Sequence, residues 1–328
     1  MGIVEKEPPV ARWQPVLREG DGGLFTQSWL PVALTTEVAQ GQVVGRDFLD
    51  GRIVVFRDQG GKAHVMSAYC PHVGADLSVG QVVGDRIQCA FHHWEYDASG
   101  ACVKTGIGDL PPKRACLFVF PSRERYGMIW AFNGETPLFE LPNLPFPEGD
   151  LLMSSYKADE PLNCDPWVFA ANTPDMQHLK VVHKVKFDVE DPHDLVNWHQ
   201  WGLEFSYSGV HQGGVPIKNT AGILGTSVFY RWGRYGDFWR AGVVGFGLPR
   251  PGQHEVYACQ AVLRGRGAEE QLAETIRVSR RTIMEDKDIL NTIHYRQGVM
   301  TRGDTSLSRF LKYVREYPRA HPSAGFIR

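Results

Sequence analysis

The chain has 328 residues, more than one ordinary domain needs, and its 43% apolar and 11% aromatic content supplies material for two cores. Lys plus Arg number 35 against 37 Asp plus Glu, a formal charge of -2 that gives no basis for nucleic acid or an anionic membrane surface as partner. No stretch approaches the roughly 18 uninterrupted apolar residues of a membrane helix and the N-terminus lacks an apolar signal core, so the expectation is a cytoplasmic protein; six cysteines are too sparse for a disulfide scaffold.

From about Trp29 to Asn133 the apolar runs are short and broken by turn pairs such as Gly60-Gly61 and Ser99-Gly100, which predicts a small antiparallel β domain. Residues 141–150 hold three prolines and one glycine and read as a linker. The expected organisation is an N-terminal extension over 1–28, a β domain with its linker over 29–150, and a second domain over 151–328. The second domain should open with a helix from Pro166 to His183, with Asp165 as N-cap and Pro166 at the first helical position. Strand-like runs follow at Leu203–Tyr207, Thr226–Trp232, Phe238–Phe246 and Glu255–Leu263. Helical periodicity then runs from Ala268 to Arg296, so this half is α+β, a curved sheet closed by a long helix. The tail from Arg315 to Arg328 reads as surface packing.

Cys70-Pro71-His72 and Cys89-Ala90-Phe91-His92 form C-x-H and C-x-x-H. Two thiolates suit one ferric iron, and two imidazoles on a second iron raise the potential above that of an all-cysteine cluster. A Cys2His2 zinc site more often opens with C-x2-C and closes with paired histidines, so the interleaved order argues against zinc. With Trp94, Tyr96 and Gly100 following, the segment resembles the Rieske domain of ring-hydroxylating and demethylating oxygenases. That family usually has glycine after the second ligand histidine, whereas His93 stands here and offers a rival C-x3-H reading; spacing favours His92.

Asp175-x2-His178-x4-His183 is the second constellation, preceded by Asn172. Two imidazoles and one carboxylate on one face of iron leave positions for water, dioxygen and substrate. Five residues correspond to roughly 140° around a helix, so His178 and His183 meet at one metal only where the helix ends or is distorted. The pattern resembles the N-x2-D-x2-H-x4-H segment of the same family. Asp175 is placed to orient a ligand histidine, and the resemblance implies that it links the two metal centres across a subunit boundary. Leu272, Ile276, Ile283, Leu290 and Ile293 fall on one helical stripe that includes Asp286, a costly place for a carboxylate unless it is paired or binds metal. An ion pair with Arg280 or Arg281 is the competing reading; the resemblance of Thr282–Asp286 to the family's ligand-bearing helix favours Asp286 as third ligand.

The resemblance implies an all-β Rieske [2Fe–2S] domain followed by a helix-grip, START-like catalytic domain with mononuclear Fe(II). It further implies a head-to-tail homotrimer, and electrons from an NAD(P)H-dependent reductase, with or without a ferredoxin. The reaction implied is hydroxylation or oxidative demethylation of an apolar or aromatic small molecule, monooxygenation before ring dihydroxylation. Two other classes stay open, a Rieske electron carrier with an extra domain and a metal-free ligand-binding module. Phe205, Tyr207, Phe229, Tyr230, Trp232, Tyr235, Phe238 and Trp239 are candidates for pocket or core. No basic residue stands out as a carboxylate clamp.

Overall fold

In the computed structural model, which describes residues 16–293 and 298–328, the N-terminal half is built from small antiparallel sheets. One is formed by Val43–Phe48, Gly51–Arg57 and Ala63–Ser67, and a second by Gln81–Val83, Arg86–Gln88, Glu95–Tyr96 and Cys102–Lys104. A third pairs Ser122–Arg125 with Met128–Phe132 and the latter with Trp29–Leu34.

The second half is one antiparallel sheet of eight strands. Its spatial order is Leu151–Lys157, Gln253–Leu263, Phe238–Arg250, Val228–Tyr235, Val215–Leu224, Gly202–His211 and Lys186–Phe187, with Val196–His199 also paired to Gly202–His211. The strand Val215–Leu224 had no counterpart in the sequence reading, because Pro216 and Gly222 interrupt its apolar pattern. The expected helix from Pro166 to His183 is instead two short helices, α1 (Pro166–Ala170) and α2 (Met176–Val181), separated by turns around Pro174. Asp165 does occupy the N-cap position of α1, but its carboxylate accepts from the Glu19 and Gly252 amides, tying the helix start to distant chain. The long helix α3 spans Ala268–Leu290 and lies across the sheet; residues 294–296 of the expected helix lie outside the described residues.

Strand alternation decides which side chains meet which core. Phe205, Tyr207 and Phe229 face α1–α3 in a core shared with Trp167, Met176 and Ile283. Tyr230 and Trp232 project to the opposite face, where Trp29, Trp130 and Phe132 of the N-terminal domain cover the sheet, and Trp239 packs beside Ala241 and Ala261. Two of the eight candidate aromatics, Tyr230 and Trp232, therefore belong to the interdomain core. Gly245 permits that closeness, since a Cβ there would stand 2.4 Å from the Trp130 ring.

The C-terminal tail corrects its expectation. After α4 (Thr305–Glu316), whose Phe310, Leu311 and Val314 enter the second-domain core, the chain returns to the first domain. Arg319–Ala320 pairs with Phe25–Thr26, and α5 (Ala324–Ile327) buries Ile327 among Phe25, Phe48 and Ile53.

At this junction Glu19 is buried. Its carboxylate accepts from the Thr26 amide and hydroxyl at 2.9 Å each and lies 3.9 Å from Arg319. Burial pushes its carboxyl from 4.5 up to about 7, against the pull of Arg319 and the Thr26 amide. Between those two pH values the unfolded chain has released a proton that the folded protein keeps. Stability from this group is therefore complete below pH 4.5 and is lost as pH rises through 7, a difference on the order of 3 kcal/mol. Glu19→Gln removes the titration, so its melting temperature should gain on that of the parent as pH rises from 4.5 to 8. Melting curves that keep a constant offset over this range would remove the assignment.

Candidate metal centres

The two cysteine loops are near copies of one another. In the first, the Cys70 amide donates to Ala75 O and the Gly74 amide to Cys70 O, both at 2.9 Å; in the second, the Cys89 amide donates to Trp94 O at 2.9 Å and the His93 amide to Cys89 O at 3.1 Å. Gly74 and His93 are thus equivalent positions, and both have positive φ, +82° and +56°. That left-handed turn explains why glycine is favoured after the second histidine, and it gives His93 the turn role that Gly74 plays in the first loop.

Cys70 and Cys89 are buried, whereas His72 and His92 are exposed at the rim, their rings 4.6 Å apart. His72 stacks on Trp94 at 4.3 Å, and the Tyr96 hydroxyl is 3.0 Å from Cys70 Sγ. This donor set fits a [2Fe–2S] cluster with one iron held inside by thiolates and the other presented at the surface by imidazoles. A thiolate at Cys70 would accept from Tyr96, the kind of hydrogen bond to sulfur that raises a cluster's potential.

The second site lies in the other domain. α2 ends at Val181, and the chain turns so that the His183 amide reaches His178 O at 3.4 Å. The helix therefore stops between the two histidines, as their spacing requires. His178 Nε2 and His183 Nε2 are 2.9 Å apart, and Asp286 Oδ1 from α3 is 3.4 Å from each. With metal–ligand bonds of about 2.1 Å, neighbouring ligands of an octahedral ion stand about 3 Å apart, so the three atoms already have the separations that one ion demands. Asp286 is only 3% exposed and its Oδ1 has no hydrogen-bond partner. Arg280 stacks over Tyr156 and Arg281 reaches Glu285, so neither neutralises it. Burial lowers the pKa of His178, with Asp286 pulling the other way, which keeps the imidazole neutral and free to ligate at pH 7. Asp175 Oδ1 accepts from the His178 backbone amide at 2.9 Å; it caps α2 and so fixes the helix that carries the ligand.

The facing atoms of His178, His183 and Asp286 open on a cavity of about 160 Å³ between the sheet and the helices. Phe169, Phe205, Phe229, Val244 and Val278 form apolar walls, and Asn172 Nδ2 has no partner. Of the candidate aromatics only Phe205, Tyr207 and Phe229 reach this space. Arg231 and Arg240, which the sequence did not single out, also line it.

Comparison with known proteins starts at the first site: the Rieske [2Fe-2S] domain family matches residues 28–111. The N-terminal domain is a Rieske domain. Among sequence relatives, cholesterol 7-desaturase of Bombyx mori is 30% identical over 212 residues, covering 61% of this chain and 46% of that protein. The oxygenase component of chloroacetanilide N-alkylformylase from Rhizorhabdus wittichii is 34% identical over 168 residues, covering 49% of this chain and 47% of that one. The chain thus spans about half the length of these curated relatives or less. Among solved structures, dicamba monooxygenase bound to 3,6-dichlorosalicylic acid superposes with a TM-score of 0.71 at 19% identity, over 88% of this chain and 96% of that one. Pseudomonas putida NdmA with caffeine gives 0.70 at 20% identity, over 88% and 89%. The relatives include an oxygenase component, and the chain shares the fold of these solved structures, its second domain being the α+β sheet domain of that fold. No helix among the described residues is long and apolar enough to cross a membrane.

Proposed function

We propose that this chain is the oxygenase component of a Rieske non-haem iron system. It would take electrons from an NAD(P)H-dependent reductase, directly or through a ferredoxin, and hydroxylate or oxidatively demethylate an apolar or aromatic small molecule. The observation that carries this reading is the convergence of His178, His183 and Asp286 at one point on the wall of a cavity, on a chain that also holds the Rieske ligands. An electron carrier would have no use for that convergence.

Mononuclear iron held by these residues would supply the reductive activation of dioxygen. The chain's own residues do the rest. His178, His183 and Asp286 would hold that iron at the cavity wall; Phe205, Phe229 and Val244 exclude water and hold an apolar ring; the Asp175 cap keeps His178 in place. In monooxygenation one oxygen atom enters the substrate and the other leaves as water, consuming two electrons and two protons.

A head-to-tail homotrimer is part of the proposal. Ile107 and Leu110, 87% and 93% exposed, border His72 and His92, and exposed Phe91 lies beside them. An apolar rim around the cluster's outer ligands suits coverage by another subunit, and Val181 is exposed at the end of α2 in the second domain. Ile107→Asp with Leu110→Asp should leave the cluster's visible spectrum intact, reduce the trimer to smaller species in light scattering and abolish turnover. A parent protein that turns over as a monomer would refute the trimer.

The oxygenase reading itself is tested by dioxygen uptake with a surrogate reductase across a panel of apolar and aromatic compounds. Substrate-stimulated uptake is the expected result; fully loaded iron sites with no stimulation by any compound would count against it.

A further inference from the structure

Arg231 and Arg240 sit on the sheet floor of the cavity, and among the described residues neither forms an ion pair with a carboxylate. Arg231 pairs in register with Gly242, two residues beyond Arg240 on the next strand, so the arginines are diagonal neighbours on one face, within reach of one another for long side chains. Arg240 is 4% exposed, and neither its Nε nor its Nη1 has a partner. The nearest compensation is aromatic: Arg240 lies 3.7 Å over the Tyr235 ring, and Arg231 is surrounded by Tyr207, Tyr156 and Tyr235. Glu274, a carboxylate that acts on Arg240, is itself paired with Arg277 at 2.7 Å. Burial and the neighbouring Arg231 push Arg240 down to about 9, still protonated at pH 7. Two like charges side by side in a dehydrated wall are costly without an anion to share.

No side chain stands opposite either arginine across this strand pair. The cross-strand partner of Arg240 is Gly233 and that of Arg231 is Gly242. A Cβ at Gly233 would stand 2.6 Å from Asn219 Oδ1, and one at Gly242 would stand 2.8 Å from Gln260 Oε1, an atom that has no partner of its own. A space of about 150 Å³ accepts a benzene-sized ligand, so this cavity of about 160 Å³ is large enough for one ring.

We propose that Arg231 and Arg240 form an anion-recognition site for the carboxylate of a single-ring aromatic substrate, whose ring lies between Phe205 and Phe229 and whose reacting substituent faces His178, His183 and Asp286. The proposal deepens the oxygenase reading and rests on it for the word substrate. The arginines are specificity-determining residues rather than parts of the metal centre.

The test is calorimetric binding to the iron-loaded protein of benzoate, 3-methylbenzoate and 3-methoxybenzoate, each against its primary amide. At least one carboxylate should bind about tenfold or more tightly than its amide, because a buried charged pairing is lost in the amide. Arg231→Gln and Arg240→Gln should each erase that preference with iron content unchanged. Equal affinity within every pair, no binding by any carboxylate, or a preference that survives both substitutions would overturn the proposal. If the variants do not fold, the comparison on the parent protein decides. Carboxylate-selective binding without dioxygen uptake would count against the oxygenase reading alone; uptake with neutral compounds and no carboxylate preference would count against the anion site alone.

Discussion

Asp286→Ala should lower bound iron from about three atoms per chain to about two while the visible spectrum of the cluster is unchanged. Turnover should fall by more than the roughly 10–100-fold that loss of a ligand-orienting partner costs, since a ligand itself is removed. The same substitution should not destabilise metal-free protein. Asp286 Oδ1 has no hydrogen-bond partner and is 3.4 Å from two imidazoles, of which His178 is held neutral by burial. Removing an uncompensated buried carboxylate relieves a cost rather than breaking a bond. The melting temperature of chelator-treated Asp286→Ala should therefore equal or exceed that of the chelator-treated parent. A drop of several degrees would mean that Asp286 is a structural ion-pair member, and the third ligand would have to be sought elsewhere.

His92→Ala and His93→Ala should separate cleanly. The first is expected to lose the cluster and leave about one iron per chain, whereas the second keeps about three. The two cysteine loops share the same backbone hydrogen bonds, and in that correspondence His93 matches Gly74, which has no side chain to ligate anything. A further variant probes the turn directly. At φ +56° a glycine avoids the Cβ strain that histidine carries, so His93→Gly should retain the cluster and gain up to about 1 kcal/mol in stability. Loss of the cluster in His93→Ala but not in His92→Ala would reverse the assignment.

What could be read in the sequence follows the range of the interactions. The Cys-His pairs were legible as candidate cluster ligands because each lies within a single loop, two or three residues apart. His178 and His183 were legible with one condition, that the helix stop between them, and α2 does end at Val181. Asp286 needed one step more, its place on the buried stripe of α3. Arg231 and Arg240 were not legible. A period of two shows that strand residues alternate but not which face is covered by the Rieske domain and which by helices, and their cross-strand glycines follow from register, which local sequence does not encode. The tail was misread for a similar reason: burial of Ile327 beside Phe25 and Phe48 joins the two ends of the chain.

The central claim is that one polypeptide couples a Rieske cluster to dioxygen activation at His178, His183 and Asp286. The most direct measurement is a single turnover: chemically reduced protein, free of any reductase, is mixed with isotopically labelled dioxygen in the presence of the aromatic panel. The account predicts label from dioxygen in at least one product, oxidation of the cluster in the same time course, and neither label nor substrate-accelerated cluster oxidation in Asp286→Ala. Cluster oxidation that proceeds at the same rate with and without Asp286, with no label in any product, would contradict it.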